Sequence, residues 1–539
     1  MGFPTKVQLI KRKQSEQWYI NFPSAVAQAM EFEKGEMVEW IVENKGLLAL
    51  KRAKVPPNVL KKKTGGITEE FDKLFDETRP AFAQERTFLR AKRLALSAVV
   101  GLGRRTVSGM LCTSAQQFVD WSAAYRLFDK GRFCRQTLFA PVRRAVVELL
   151  SPEHPLVVMM DDTLIRKCGR KVHGTGWKRD PLGPPFCTNF VWGQRFLQVS
   201  AALPDADGTG RARAVPIELI HAPSAKKPGK KAPPEQWEEY RKLQEATKVS
   251  TLGAAQLHAL RQNLDADAQN RHVIAAVDGG FTNRTVFRNL PDKTILIGRI
   301  RKDAKLYSVP EADVTPRRGR RKWYGEPLPA PEHIRQDESI PWTQVNAFAA
   351  GTRHTFEIKT ISAARWAGTG DRTVRVVIVR PLAYRPRKGA KLLYRNPAYL
   401  ICTDPNLPLE QLLQAYLWRW EVEVNFRDQK TLFGVGEAQV RNHKAVEAVP
   451  ALITAAYAML LLAGSGIVAP ANTLPRPKWQ RRNAGKRCST QQLIGLFRTQ
   501  LWGKALGVNL QHFANADSVD AKSDFFQNSL QSAVCYAAK

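Results

Sequence analysis

A short segment near residue 420 carries an aromatic ring, a carboxylate and two cations at a spacing that could bring them together. Tyr416 is followed by Arg419, Glu423 and Lys430 in the sequence AYLWRWEVEVNFRDQK. On an α-helix that turns about 100° per residue, these four side chains fall within an arc of roughly 60°. A carboxylate held between cations on one rigid face suits a metal ion and a polyanion. A surface helix with ordinary i,i+3 and i,i+4 charge pairs is the alternative.

Acidic residues elsewhere follow apolar runs that are typical of buried strands. The segment HPLVVMMDDT contains Asp161 and Asp162 at the end of its apolar run, and RHVIAAVDGGF contains Asp278. Adjacent strand residues point to opposite faces of a sheet, so only one of Asp161 and Asp162 can join a given site. The residues alone leave that choice open. Glu423 is preferred over the other two acids of the helical segment, which lie roughly 120–160° away on the wheel.

Three acidic groups far apart in sequence predict a two-metal site if strand ends and a helix bring them together. Hard cations such as Mg²⁺ take carboxylate oxygens and retain water. Two such ions can activate a water or a 3′-hydroxyl and stabilise the leaving oxygen of a phosphodiester. A lone Asp at a strand end is weak evidence because Asp is common in turns. The three acids together, in a strongly basic protein, are stronger evidence.

The charge of the chain favours a polyanionic partner. Its 539 residues hold 83 Lys and Arg against 49 Asp and Glu, which gives a formal net charge of +34. An excess of this size repels itself in a compact protein unless a polyanion neutralises it. Nucleic acid is the first candidate, since its phosphates supply salt-sensitive affinity, and a membrane surface is the second.

Cysteine usage and hydropathy indicate a cytoplasmic protein, associated with a bacterial nucleoid if DNA is the partner. The seven cysteines are scattered without a CxxC pair, which argues against a disulfide scaffold or a structural zinc. The amino terminus lacks the apolar run of a signal peptide. Residues 448–473 carry no charge, but only about 13 good helix formers are uninterrupted, fewer than a bilayer span needs. We expect a buried core helix there and no membrane insertion.

The pattern of strands, helices and linkers predicts several regions, of the α/β class overall. These are a small β-rich domain at 1–53, a linker at 54–68, a helical DNA-end-binding domain at 69–150, an α/β core at 151–465 with a mostly β insertion at about 302–396, and a basic helical region at 466–539. A purely structural role for the helical domain is equally open.

The basic stretch PRRGRRKWYG within the insertion interleaves cations with aromatic rings, as a nucleic-acid groove does. We predict DNA contacts from Arg317, Arg318, Arg320, Arg321 and Lys322. A solvated loop is the alternative interpretation.

Residues 6–52 resemble the swapped-hairpin DNA-binding domains of the AbrB/MazE type. The resemblance is based on the predicted strands KVQLIKR and QWYINFP, a short helix SAVAQAM, a Gly turn and the predicted strands MVEWIVEN and LLALKR. The resemblance implies an interleaved dimer with basic loops on DNA. The matching basic positions are Lys6, Lys11, Arg12 and Lys13. A β-hairpin accessory domain without DNA contact is the alternative.

The motifs DDT (161–163) and VDGGF (277–281), with the Tyr-Arg-Glu-Lys segment, resemble those of DDE cut-and-paste insertion-sequence transposases, whose signature is Y-x2-R-x3-E-x6-K. This resemblance covers roughly residues 105–463. It implies an RNase H-like mixed sheet flanked by helices, with a mostly β insertion between the last core strand and the Glu helix. The second motif departs from the usual D-R-x-F, because DGGF lacks the Arg.

Carried over by this resemblance, Asp162, Asp278 and Glu423 would be catalytic residues and ligands of two Mg²⁺ ions, which Mn²⁺ could replace. Asp162 is preferred as the acid before Thr, with Asp161 as its rival. Tyr416, Arg419 and Lys430 would contact phosphates at the transposon end.

The partner implied is double-stranded DNA, as terminal inverted repeats and as target, bound by a homodimer in the paired-end complex. Metal-assisted hydrolysis at each end would free a 3′-hydroxyl that attacks the opposite strand or target DNA. Trp418 and Trp420 could stack a flipped base, although core packing is favoured for both. The alternatives are a non-catalytic DNA-binding protein (a transposase relic or regulator) and a structure-specific RNase H-fold nuclease without strand transfer.

Overall fold

The computed structural model describes two compact units, Met1–Val59 and Leu60–Lys539. The residues described are 7–12, 15–20, 38–44, 47–52, 66–180, 183, 186, 188–205, 210–310, 322–385, 387, 389–465, 474, 487–506 and 525–537. The statements below concern these residues.

The first unit contains two antiparallel hairpins. Their strands are β1 (Val7–Arg12), β2 (Ser15–Ile20), β3 (Val38–Asn44) and β4 (Leu47–Arg52). β1 pairs with β2, and β3 pairs with β4. These strands lie where the sequence predicts them. The predicted helix SAVAQAM, together with Lys6 and Lys13, lies outside the described residues.

The segment after the linker is helical, as its pattern of apolar residues predicts. It comprises α1 (Ile67–Asp76), a 3₁₀ turn (Arg79–Ala81), α2 (Glu85–Val100), α3 (Val107–Thr113), α4 (Ser122–Asp129) and α5 (Arg135–Leu149). Their apolar faces bury phenylalanines such as Phe71, Phe75 and Phe128. Amphipathic helices of this kind are stabilised mainly by the burial of one face.

A mixed sheet forms the centre of the second unit. Its first strands are β5 (Leu156–Arg166), β6 (Gly176–Arg179), β7 (Phe190–Pro204), β8 (Ala212–Ala222), β9 (Val273–Val277) and β10 (Thr294–Arg299). β5, β9 and β10 are parallel neighbours, whereas β7 and β8 follow β5 in antiparallel order. The spatial order β8-β7-β5-β9-β10 is consistent with the RNase H-like fold that the sequence predicts.

The residues between β10 and the Glu-bearing segment are mostly β, and several of their strands extend the same sheet. They form β11 (Leu306–Tyr307), β12 (Pro327–Leu328), β13 (Thr343–Ala349), β14 (Thr352–Trp366), β15 (Val374–Val379), β16 (Ala383–Tyr384), β17 (Leu393–Tyr394) and β18 (Ala398–Cys402). β18 pairs antiparallel with β10 on one side and with β15 on the other. The insertion is thus joined to the core by backbone hydrogen bonds.

The remaining helices of the second unit pack on the sheet or on one another. They are α6 (Pro234–Ala246), α7 (Val249–Ala266), α8 (Arg284–Arg288), α9 (Pro331–Gln336), α10 (Leu409–Trp418), α11 (Glu421–Thr431), α12 (Ala445–Ala463), α13 (Thr490–Leu506) and α14 (Phe525–Tyr536). α12 is apolar on every side and is buried among the helical segment and β8, so the prediction of a core helix is confirmed. The prediction of only about 13 uninterrupted helical residues is wrong, because the helix continues through Pro450 and has 19 residues. It is long and apolar enough to span a bilayer, but it is packed inside the fold.

The two faces of β5 belong to different apolar clusters. Val157 and Met159 pack with residues of α10 and α11. Val158 and Met160 belong to the larger cluster that includes α7. This alternation follows from the pleat of a strand, in which successive side chains point to opposite faces. It decides which acidic side chain at the end of the apolar run meets which helix.

Candidate active site

The charged segment that the sequence predicts as one helix is two helices in the structure. α10 ends at Trp418 and α11 begins at Glu421. At the junction the N–H of Arg419 donates to the carbonyl of Tyr416 at 3.1 Å, a hydrogen bond over three residues instead of four. Such a turn advances about 120° per residue, so the angles of a uniform helical wheel do not hold across it. The prediction of one continuous helix is therefore wrong.

Asp161 lies on the face of β5 that α10 and α11 cover. Arg419 Nη1 donates to Asp161 Oδ2 at 3.3 Å and lies 4.0 Å from Glu423 Oε1. Because one nitrogen makes both contacts, the two carboxylate oxygens lie no further apart than these two distances combined. The Asp161 side chain is only 16% exposed, whereas that of Glu423 is 43% exposed. A carboxylate from the strand and one from the helix therefore face each other at the edge of solvent.

Asp162, the acid preferred from the sequence, lies on the opposite face of β5. Its Oδ2 atom is 3.1 Å from Arg195 Nε on the neighbouring strand β7. No hydrogen bond or ion pair joins Asp162 to Glu423 within the described part of the chain. The alternation of a strand causes this separation. The structure thus brings Asp161, and not Asp162, to the side of Glu423.

Asp278 directly follows β9 and lies next to Asp161 in the sheet. The parallel register pairs Met160 with Val277, and the residue after each of these two is an aspartate, Asp161 or Asp278. Asp278 Oδ1 accepts a hydrogen bond from the N–H of Gly280 at 2.9 Å, an Asx turn that orients the carboxylate. The DGGF motif therefore uses its second glycine to hold the aspartate at the end of the strand.

The protonation equilibria of the two neighbouring aspartates of β5 reflect these surroundings. Burial, and next the Asp278 carboxylate, raise the pKa of Asp161 to about 7, against the opposing effect of Arg419. Burial also raises the pKa of Asp162, which the Arg195 guanidinium lowers. Crowded carboxylates at one edge stay ionised at neutral pH most readily when a cation is close.

Lys430 reaches the same face of β5 as Asp161. Its Nζ atom donates to Thr163 Oγ1 at 2.6 Å, and Thr163 is two residues beyond Asp161, on the same side of the strand. Burial, and next the Arg166 cation, lower the pKa of Lys430. Tyr416 is partly buried against the apolar cluster under α10. The structure therefore places Arg419 and Glu423 at Asp161, with Lys430 at Thr163 further along the same face of β5.

A buried polar network ties α11 to the sheet beneath Glu423. Asn425 Nδ2 donates to the Tyr457 hydroxyl at 3.1 Å, and its Oδ1 accepts from the Ser200 hydroxyl at 3.0 Å. Gln429 Nε2 donates to Gln198 Oε1 at 2.8 Å. Satisfied buried hydrogen bonds of this kind fix one register of packing, because an unpaired partner would be costly. The network holds the helix that carries Glu423 against the strand next to β5.

The two tryptophans beside Arg419 have different surroundings. Trp418 packs against the apolar cluster, and its Nε1 donates to the carbonyl of Gly210 at 2.8 Å. Trp420 is 62% exposed. The prediction of core packing is confirmed for Trp418 and is wrong for Trp420, because a step of two residues along a helical backbone turns the side chain to the other side.

The other predicted DNA contacts are only partly described by the structure. Lys11 and Arg12 lie at the end of β1, and Lys322 is exposed. The Trp323 ring lies 5.7 Å from the Arg288 guanidinium carbon, and the Tyr324 ring stacks near Tyr307. Outside the described residues lie Arg317, Arg318, Arg320 and Arg321.

Sequence reasoning did not single out Arg195, Lys178 or Thr163. Lys178 pairs with Val191 of β7, and Leu164 pairs with Arg195, so both cations lie on the Asp162 face. The sequence signal for these residues is the alternation of side chains along a strand. That alternation shows which residues share a face, but the face that meets Asp162 is known only once the pairing of the strands is known.

The side chains of Asp161, Asp278 and Glu423 are the kind of donor that a hard divalent cation prefers. Among the described residues, no three His, Cys, Asp or Glu side chains lie close enough together to hold one ion. However, Asp161, Asp278 and Glu423 offer carboxylate oxygens, the ligands that Mg²⁺ and Mn²⁺ take. The Arg419 guanidinium already places a positive charge between two of them. The chemistry of these donors therefore fits a divalent cation, whereas their positions in the structure do not form a three-ligand cluster.

Comparison with known protein families places these residues in context. The profile described as DDE superfamily endonuclease matches residues 77–368, which include β5 and β9 with their aspartates. A search of curated proteins finds no significant match. Because the profile covers more than half of the chain, the protein belongs to the DDE superfamily of endonucleases.

Proposed function

We propose that the protein is a DNA transposase that cleaves the ends of a mobile element and joins them to new DNA. Membership of a DDE endonuclease superfamily supports a nuclease or transposase that acts on DNA. The observation that carries the proposal is the shared contact of Arg419 Nη1 with Asp161 and Glu423, beside Asp278. In this proposal Glu423 is the third acid of the DDE set, on a helix that follows a mostly β insertion.

The proposed metal ligands are Asp161, Asp278 and Glu423, with Asp161 in place of Asp162. Two divalent ions, Mg²⁺ by preference, would activate the attacking oxygen and stabilise the leaving oxygen of the phosphodiester. The chain itself orients these carboxylates through the strand register, the Asx turn at Gly280 and the network around Asn425.

The proposed phosphate contacts at the transposon end are Tyr416, Arg419 and Lys430. Once a cation neutralises Asp161 and Glu423, the Arg419 guanidinium is free to bind a phosphate bidentately. The Thr163 hydroxyl fixes the Lys430 ammonium at the strand. Additional DNA contacts are proposed for the basic segment 317–322.

The remaining elements of the proposal concern assembly and place. A homodimer would pair two transposon ends, and Lys11 and Arg12 of the amino-terminal unit would add DNA contacts. The protein would act at the bacterial nucleoid in the cytoplasm. Its net charge of +34 supports a polyanionic partner, as expected for DNA.

Metal-dependent nicking of a DNA duplex that contains the element's terminal repeat tests the catalytic part of the proposal. We expect Glu423→Gln to abolish nicking, because the amide cannot supply the charge that a metal ligand needs. Glu410→Gln makes the same change at an exposed position in the first turn of α10 and should nick normally. Equal nicking by Glu423→Gln and wild type would refute the assignment of Glu423.

Joining of a pre-cleaved end to target DNA tests strand transfer separately. A transposase yields joined products from a duplex that already carries a free 3′-hydroxyl, whereas a nuclease without strand transfer releases only cleaved ends. Nicking without joined products at any Mg²⁺ or Mn²⁺ concentration would favour the nuclease. Neither activity in the wild type would favour a DNA-binding regulator.

A further inference from the structure

A polar cavity opens on the face of β5 opposite the proposed catalytic residues. Its volume is about 590 Å³, within the range of roughly 300–1,000 Å³ that ligand sites usually occupy. Its wall includes Asp162 of β5, Lys178 of β6, Arg195 of β7 and the residues that open α7. The catalytic proposal uses none of these side chains.

The charges in this wall favour an anion. Lys178, Arg195 and Lys248 line the cavity together with one carboxylate, that of Asp162. Lys248 is already paired with Glu245, which does not line the cavity. Arg195 lies 3.1 Å from that carboxylate and offsets its charge. Lys178 makes no hydrogen bond or ion pair with any residue that the structure describes, so no carboxylate contact offsets its positive charge. The wall therefore has cations in excess.

Two buried polar atoms of the wall also make no hydrogen bond within the described part of the chain. Arg195 Nε and Ser224 Oγ have no hydrogen bond to the described residues, since the ion pair of Arg195 with Asp162 lacks hydrogen-bond geometry. Buried donors in native proteins are nearly always satisfied by protein, water or ligand. Both atoms are donors that an anionic oxygen could satisfy.

The first turn of α7 adds backbone donors at the same place. Val249 and Ser250 line the cavity, and no side chain caps this 18-residue helix at Lys248. The first N–H groups of a helix have no partner within the helix, and its dipole favours negative charge there. Cations, unsatisfied donors and a helix amino terminus together form a typical phosphate-binding arrangement.

The cavity lies close to the proposed catalytic edge. Asp162 follows Asp161 directly, and Gly280, two residues after Asp278, also lines the wall. The wall thus includes residues within two positions of both proposed catalytic aspartates. Tyr240 adds an aromatic ring to the lining of the cavity.

We propose that this cavity binds the phosphate of a nucleotide, with Lys178, Arg195 and the first turn of α7 as its donors. The nucleotide belongs either to the DNA strand that leaves the catalytic edge, which rests on the proposed function, or to a free nucleotide pool. Both sources present the same phosphate chemistry, and binding measurements distinguish them.

The test uses the full chain in EDTA, so that binding is measured without cleavage. Fluorescence anisotropy compares a blunt duplex with the same duplex carrying a short single-stranded extension, and dAMP serves as the free nucleotide. Ser250→Glu places a carboxylate in the first turn of α7, where it favours the helix but repels phosphate. Gln236→Glu adds the same charge to the first turn of α6, at a residue that does not line the cavity.

If the phosphate comes from DNA, the extension tightens binding by the wild type and by Gln236→Glu, and Ser250→Glu loses this gain. Lys178→Gln should lower the slope of log K against log salt for the extended duplex by about one. If dAMP binds instead and Ser250→Glu abolishes its binding, the cavity is a site for free nucleotides.

The proposal fails if neither dAMP nor the extension distinguishes Ser250→Glu from Gln236→Glu while thermal unfolding shows both variants folded. This outcome does not depend on catalysis, because binding is measured in EDTA. The proposed function is tested separately, by the nicking activity of wild type and Glu423→Gln with metal present. If the wild type does not nick DNA but still binds the extended duplex more tightly than Ser250→Glu does, the proposed function is refuted and the phosphate site in the cavity is retained.

Discussion

The two faces of β5 differ most at its two adjacent aspartates. On the Asp161 face, α10 and α11 close over an apolar cluster, and a satisfied polar network holds α11 in place. On the Asp162 face, the same strand opens into a cavity with an excess of cations. One face is built to keep a helix in register, and the other leaves donors free. Neighbouring carboxylates thus acquire different surroundings from what packs opposite them.

The largest expected effect separates these two carboxylates in catalysis. Asp161→Asn should lower the nicking rate by about 10³-fold, because a metal ligand contributes several kcal/mol of charge stabilisation in the transition state. Asp162→Asn should lower it far less, since its carboxylate faces Arg195 and the cavity. Single-turnover nicking with saturating Mg²⁺ measures both rates.

The reverse order would break the comparison. If Asp162→Asn abolished nicking and Asp161→Asn did not, the strand would have to present its other face to Glu423. The register between β5 and β9 would then differ from the pairing of Met160 with Val277.

A second prediction concerns the stability of the closed face. Asn425→Leu leaves the Ser200 and Tyr457 hydroxyls and the Ala214 carbonyl without their amide partner. We expect the free energy of unfolding to fall by about 2–3 kcal/mol, the cost of leaving buried polar groups unsatisfied. Urea titration measures it, with Asn406→Leu at an exposed loop position as the control, for which a change within about 0.5 kcal/mol is expected. A change as small as that control would contradict the role given to the network.

The smallest effect concerns the cation between the two carboxylates. In the absence of DNA, Arg419→Ala should bind Mn²⁺ about tenfold more tightly, equivalent to roughly 1.4 kcal/mol, because a competing positive charge is removed. Arg419→Lys, which keeps the charge, is the matched control. Electron paramagnetic resonance of free Mn²⁺ gives the affinities without reference to activity. Weaker binding by Arg419→Ala would show that the guanidinium supports the metal site instead of competing with it.

Much of the fold could be predicted from local patterns. The apolar runs before Asp161 and Asp278 are buried strands, the segment 445–463 is a buried helix, and β strands dominate between β10 and β18. These elements follow from periodicity and composition, which act within a few residues. The break between α10 and α11 had no such signal. Arg419 and Trp420 are ordinary helix residues and keep right-handed helical dihedrals, so the break consists only of hydrogen bonds over three residues.

The sequence by itself determined which chemistry was available: three acids after strands or on a helix, flanked by cations, in a chain of high positive charge. Only the tertiary structure decided that Asp161 and not Asp162 meets Glu423. The physical reason is that a one-residue step along a strand reverses the direction of its side chain, while the identity of the helix on each face depends on contacts hundreds of residues apart. The cavity beside Asp162 has the same origin, since strand pairing and the start of α7 create it together.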